Sequence, residues 1–414
     1  MKDFVNKIKH IVLGVFFILA VIMPLRALDW GVLADQNIAV EGMGADNLSD
    51  NLKDSLEYSG ALIPWLSTQL GERADLYASA SFTPSYQYKT WEFIPELLRT
   101  EVNLRIKDNG ELKIGRMTYT DPLGIVADGL FDGVNYSWDY SDKGSLRFGA
   151  WYTGLLYKKT AYITMTVEDL ELYYAELDYS DFANTYFAPR RLLGAVDWSY
   201  YGILDLAELN CAIIGQADLS GREKLYHSLY FMGKLSFPVK SFVFEAGANA
   251  EMSIASERFY LSFAGELGAG WYLPTSIQDK LTLSFLLSNG ALLDNHISPF
   301  LPISTVPQGG VLRAKLSGLS KISLDYTGRF HETLSLQLTN SYFVLSDLAS
   351  YEGIVGGKEG YFLGDDLFAR VFWSPVSDLY INFGAGVFLP MLGNADKDAG
   401  VFWRVELGVK LAFF

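Results

Sequence analysis

Arg105, Lys107, Lys113, Arg116 and Arg147 lie close together early in the chain, and Arg313, Lys315, Arg370, Arg404 and Lys410 lie late. They occupy the non-apolar positions of segments in which apolar and polar residues alternate. Glu245, Glu251 and Glu266 hold the same kind of position in the middle of the chain. If the two ends of the sheet meet, the early and late basic groups form one broad wall facing the acidic middle. Opposed walls of opposite charge set up a field across the space between them, and charges so placed set ion preference. Nucleophilic chemistry has a weaker basis. Asn295, His296 and Ser298 lie together and His227 adjoins Ser228, but neither group sits in a recognisable nucleophile motif. No enzyme activity and no cofactor are expected. Asp365, Asp366, Asp396 and Asp398 are candidate calcium ligands, for which scattered surface carboxylates are the plainer account.

The elements that must hold these residues have a period of two. Trp403, Val405, Leu407, Val409, Leu411 and Phe413 share one parity, and Arg404, Glu406, Gly408, Lys410 and Ala412 share the other. Such alternation puts one set on each face of a strand. The same pattern runs through Phe242–Met252, Val102–Lys107, Leu281–Leu287 and Leu379–Val387, and through Leu312, Ala314 and Leu316 into Ile322, Leu324 and Tyr326. These segments span about 10–13 residues, the length of a tilted bilayer crossing. Lipid offers no hydrogen bonds to a sheet edge, so such a sheet must close on itself.

Composition narrows the class further. Of 414 residues, 50% are hydrophobic and 20% charged, with 25 Tyr, 27 Phe, 9 Trp and 38 Gly but a single Cys. A coiled coil, a disulfide-stapled domain and a disordered chain do not fit this mixture. The net charge of −15 argues against nucleic-acid partners, which need basic surface. At the N-terminus, Lys2, Lys7 and Lys9 precede an uncharged run from Ile11 to Met23, then Pro24 to Ala27. Residues 1–27 therefore read as a secretory signal peptide, and 28–414 as one domain. No further apolar run reaches the length of a spanning helix, so the spans must be strands.

The expected fold is all-β, a transmembrane antiparallel barrel of about 18 strands, with 16 as the alternative. Strands are predicted near 32–42, 58–68, 74–84, 97–107, 111–119, 129–139, 145–155, 191–200 and 203–215. The rest are predicted near 226–237, 240–252, 258–272, 279–289, 312–326, 332–345, 363–373, 378–388 and 402–413. With the last strand ending in the periplasm, short turns rich in Gly, Pro, Asp and Asn fall on that side, among them Tyr201–Gly202. Long outer loops fall at 43–57, 85–96, 156–190, 290–311, 346–362 and 389–401. The longest, 156–190, is a candidate constriction, and Asp121–Asp132 could also dip inward. Trp30, Trp65, Trp91, Trp138, Trp198, Trp271, Trp373 and Trp403 lie near strand ends as candidate girdle residues.

The terminal run Leu411-Ala412-Phe413-Phe414 resembles the closing strand of bacterial outer-membrane barrels, except that Phe414 falls on the non-apolar parity. Gly115-Arg116, Asp121-Pro122-Leu123-Gly124 and Asp132-Gly133-Val134 together are similar to a stretch of the large porins and alginate-export-like barrels. The resemblance implies a porin of the outer membrane and no particular solute. It implies lipids and small hydrophilic solutes as partners, the barrel-assembly machinery acting through the C-terminal strand, and a homotrimer as one assembly. Two rivals stand beside passive diffusion. One is a transporter for apolar substrates plugged by residues 28–57, with Met43, Leu48, Leu52 and Leu56 as its apolar spacing. The other is a structural or adhesive barrel.

Overall fold

The computed structural model describes residues 28–44, 56–87, 89–203, 206–291, 297–348, 360–395 and 400–414. The expected signal peptide lies outside them. The strands are β1 Leu28–Met43, β2 Leu56–Gln69, β3 Ala74–Gln87, β4 Thr90–Ile106, β5 Gly110–Thr120, β6 Asp128–Ser141, β7 Gly144–Tyr152, β8 Arg191–Ile203 and β9 Ala207–Asp218. They continue as β10 Tyr226–Val239, β11 Phe242–Ala255, β12 Arg258–Tyr272, β13 Lys280–Ser288, β14 Leu319–His331, β15 Leu334–Leu345, β16 Phe362–Val376, β17 Leu379–Leu389 and β18 Phe402–Phe413. Each pairs antiparallel with its sequence neighbours, and β1 pairs with β18 from Val32↔Phe413 to Met43↔Phe402. The 18-stranded sheet is thus closed and leaves no edge.

The alternation decides which face is which. Leu62, Phe244, Phe263, Leu283, Leu324, Phe383 and Leu407 all point outward and are exposed. An exterior of this kind is stable only in hydrocarbon, which makes the barrel a transmembrane one of the outer-membrane type. Trp30, Trp138, Trp198, Trp271 and Trp373 ring the short-turn end, all exposed, at the depth where amphipathic rings favour a membrane interface. Trp65 instead stacks on Tyr77, and Phe414 meets its edge, so the off-parity terminal Phe packs against a ring on β2.

Several expectations shift. Residues 28–43 form β1, so that stretch is a wall strand and no plug; Leu48 and Leu52 lie outside the described residues. The expected loop 85–96 is absent, because β3 and β4 run on as a pair to Gln87↔Thr90. β8 continues through Tyr201 and Gly202 to Ile203. The largest shift is in β14, which begins at Leu319 and not near 312. The alternation at 312–316 belongs to an inward-folded segment, where an apolar face can be buried by loops as well as by lipid.

Three connections at the loop end fold into the barrel. They are 121–127, 153–190 and, of the third, the described residues 297–318; the second carries helices α1 Lys158–Ala161, α2 Val167–Tyr174 and α3 Phe182–Thr185. Their apolar residues pack with inward side chains of β5–β13, forming one core that includes Tyr119, Phe131, Trp151, Leu193, Ile214 and Tyr230. Leu123, Ile125, Val126, Ile163, Phe300, Ile303 and Leu316 supply the loop side. The loops also lock to one another. The Val126 carbonyl accepts from the N–H groups of Ile303 and Ser304, and the Tyr162 carbonyl accepts from Thr305 N.

Candidate functional site

The inward loops need anchors, because loop backbone buried in a lumen must find hydrogen-bond partners. Asp121 closes the first one. Its two carboxylate oxygens accept from the N–H groups of Leu123, Gly124, Val126 and Ala127 at 2.8–2.9 Å. Burial still holds this carboxyl above its usual range. The Gly115-Arg116 and Asp132-Gly133 motif has a physical explanation in the same region. Arg116 makes a two-bond pair with Asp132, at 2.8 and 2.7 Å, and donates onward to the carbonyls of Leu97 and Leu155. It therefore ties the start of the 153–190 loop to the wall. Gly115 sits at φ +124°, and a side chain there would strike the Thr100 carbonyl.

Helix α2 is held at both ends. Thr166 and Asp169 form a reciprocal capping box at its start. Asp169, fully buried, also receives Arg191 on one oxygen and Arg222, at 3.0 Å, on the other. At its far end the Ala175 carbonyl accepts from Lys158 Nζ at 2.6 Å. Burial pushes the Lys158 ammonium down to about 8. Beside α2, the Tyr162 and Tyr173 rings stack at 4.8 Å, and Tyr174 stands edge-on to Tyr173 at 5.1 Å.

What these loops leave vacant lies on the opposite side of the lumen. A chamber of about 530 Å³ runs between the loops and the wall of β16, β17, β18, β1, β2 and β3, lined by Asn37, Glu57, Ser59, Lys159, Arg370, Phe372, Asn382, Arg404 and Glu406. A second, of about 320 Å³, lies toward the loop end and is lined by Glu41, Glu92, Tyr162, Tyr174 and Glu176. Glu57, Ser85, Gln87, Lys159, Tyr173 and Arg313 line both, so the two adjoin. The charges on this wall are paired across strands. Arg404 reaches Glu41 at 2.7 Å, Glu57 at 3.3 Å and Glu406 at 3.5 Å, while Arg370 holds Glu406 at 2.6 Å. Lys159 pairs with Glu92 at 3.0 Å.

The remaining expected lumenal residues fall into four groups. Arg105 pairs with Asp75 at 3.0 Å, Lys113 with Glu111 at 3.6 Å and Lys410 with Asp35 at 3.1 Å, all nearer the turn end. Lys107 occupies a turn at φ +56° and is not on a strand face. Arg116, Arg147, Glu251 and Lys315 serve the packed half. Arg147 reaches Asp197 at 2.5 Å and lies over the Tyr119 ring. Glu251 is fully buried and accepts from Tyr226, Ser262 and Leu301 N. Lys315 donates to the Thr164 carbonyl at 2.9 Å and, like Arg313, lies on the inward segment before β14. Glu245 and Glu266 are both matched by Lys234, at 3.3 and 3.0 Å, a residue the sequence pattern had not singled out. In place of the expected opposition of a basic wall and an acidic wall, most of these charges pair locally, on the same strand or one or two strands away.

Sequence reasoning placed Glu406 on the non-apolar parity without singling it out, missed Glu41 and Glu57, although their parity was legible, and missed Lys159 and the tyrosines of the loop, which no period marks. His227 Nδ1 accepts from the Asp218 N–H. His296 and Asn295 lie outside the described residues, as do Asp396 and Asp398. Asp365 pairs with Asn340 on one face of β16 while Asp366 holds loop backbone on the other, so the two cannot share an ion.

The wall, the inward loops and the eccentric chambers together define a large single-chain barrel with a restricted lumen. Among the solved structures with this fold are outer-membrane proteins of Pseudomonas aeruginosa. OccK1 (OpdK) is similar at a TM-score of 0.63 with 11% identity, the match covering 94% of this chain and 99% of that one. OprD gives 0.61 with 13% identity over 94% and 96%, and OccK2 (OpdF) gives 0.61 with 11% over 94% and 98%. No protein-family model matches the sequence, and no curated protein matches it. At this level of identity the likeness shows the fold.

Proposed function

We propose that the chain is an outer-membrane, porin-like channel that passes small hydrophilic solutes by diffusion. One observation carries the reading: two adjoining polar chambers run along one wall of a barrel whose exterior is apolar. A barrel filled by loops on every side would serve anchoring or adhesion equally well. Here the main packed core lies along β5–β13, a smaller one joins the loop end of β14–β17 to residues 311–314, and charged side chains line the chambers that remain. The paired charges give the path a high density of dipoles without a large net field, which suits polar and zwitterionic solutes. The solved relatives in fold support this; one of them, OccK2, is known in complex with glucuronate. Residues 1–27 act as the export signal, β18 presents the chain to the assembly machinery, and the loop end faces outward.

The test is single-channel recording of the refolded chain in a planar bilayer. Stable open steps are expected, small for an 18-stranded barrel because half of the lumen is filled. A barrel shown to be folded by its resistance to protease, yet silent in the bilayer, would overturn the channel reading and favour a sealed or structural barrel.

A further inference from the structure

Arg313 differs from the other basic residues that line both chambers or the wall between them, Arg370, Arg404 and Lys159. It is exposed, lines both chambers, and makes no ion pair among the described residues. Arg370, Arg404 and Lys159 all spend their charge on carboxylates of the wall. A passing ion therefore meets three compensated cations and one uncompensated one, at the junction of the two chambers.

Arg313 does not stand on a strand. It is presented by the segment leading into β14, and on the side of β16 that segment is clamped to the wall by Asp366. Asp366 of β16 is fully buried, and its Oδ2 accepts from Val311 N at 2.9 Å and Leu312 N at 2.7 Å. The approach is close enough to require glycine just before the clamp. A side chain at Gly309 would meet Asp366 Oδ2 and one at Gly310 would strike the Phe368 ring. Lys321, also on the wall, grips the Gln308 carbonyl from the other side at 3.0 Å. A free charge on an irregular segment is thus held nearly as firmly as one on a strand.

We infer that Arg313 decides the charge preference of the channel and that Asp366 is its positioning residue. This rests on the channel reading and adds to it which residue discriminates. Removing an uncompensated charge a few ångströms from the ion path changes the energies of a cation and an anion in opposite directions. Removing a distant, paired charge changes both little.

The experiment is the reversal potential of the refolded barrel in a KCl gradient, with conductance read in parallel. Arg313→Gln should move the anion-to-cation permeability ratio toward cations by roughly three- to tenfold, and Arg313→Lys should restore it. Asp366→Leu, which removes the clamp without touching the channel surface, should give part of the same shift. Asp366→Asn, which keeps an acceptor for the two N–H groups, should stay near the parent. Lys410→Gln serves as the control, since it removes a lumenal charge paired with Asp35, and should move the ratio less than twofold. An unchanged ratio in Arg313→Gln with normal conductance overturns the inference while leaving the channel standing. A shift in Lys410→Gln as large as that in Arg313→Gln also overturns it, because net lumenal charge would then suffice. A silent parent barrel overturns this inference and the channel reading together.

Discussion

The two halves of the lumen share one sheet and one alternation, yet they are built on different principles. Along β5–β13 the inward face meets loop, and its residues are Tyr119, Phe131, Trp151, Leu193, Ile214 and Tyr230, all nearly inaccessible. From β14 around to β3 the inward face is apolar only near the loop end, where Leu319, Phe343, Leu345, Leu363 and Phe388 pack with Val311, Leu312 and Ala314; below that it carries Ser323, Asp325, Thr339, Arg370, Glu406, Asn37 and Ser59, which are polar. The difference teaches that a barrel strand does not specify a wet lumen. What lies across from it does. Where loops descend, a lumenal strand becomes a core strand with hydrocarbon on one side and protein on the other.

The largest effect of a single substitution is expected on the packed side. Trp151 is 1% exposed, with its ring centroid 4.5 Å from Tyr119 and 6.2 Å from Phe131. Trp151→Ala should lose about 3–5 kcal/mol of stability, the usual cost of emptying an aromatic site in a core. Urea unfolding of the barrel in vesicles, followed by tryptophan fluorescence, measures it. A loss under about 1 kcal/mol would mean that the loops do not pack there in the membrane.

The next effect lies on the boundary between the halves. Asp169 joins α2 to Arg191 and Arg222, and α2 carries the tyrosines that bound the chambers. Asp169→Ala leaves Arg191 buried beside a weaker partner, Asp218 at 3.9 Å. Breaking such a buried pair costs about 3 kcal/mol or more, and α2 alone can recover it by undocking. The expected outcome is an intact barrel with larger, noisier open steps. Unchanged steps would show that α2 does not narrow the path.

Much of this was legible and some was not, for reasons the same two halves supply. The closed sheet, the strand number and nearly all strand limits follow from the alternation, because lipid enforces it on the outer face of every strand. The packed half left a mark as well. Leu192–Leu193, Ala195–Val196, Ile213–Ile214 and Leu286–Leu287 are adjacent apolar residues that break the alternation, the sign of a strand buried on both faces. Read in that way, they point to inward loops against β8, β9 and β13. The start of β14 was not legible, since 312–316 alternates for burial under loops and lipid alike. Nor was the pairing of charges, because parity places a residue inside the barrel without saying how far along the wall its partner stands. Arg404 finds Glu41 and Glu57 only because β18 closes onto β1.

On the polar side, substitution should matter least for the fold. Ser323 and Ser341 face each other across β14 and β15, their hydroxyls 2.8 Å apart. Each is closely surrounded, but replacing both with Ala removes donor and acceptor together and leaves no orphan. Such a double change is near neutral, within about 1 kcal/mol, whereas Ser323→Ala alone strands one hydroxyl. Urea unfolding of the two single variants and the double variant forms a complete cycle. The double variant should be at least as stable as the less stable of the singles, and its conductance should match the parent. A double variant that loses stability on the scale of Trp151→Ala would show that the hydroxyl ladder is itself a core. The two halves of the lumen would then differ in chemistry and not in how tightly they are built.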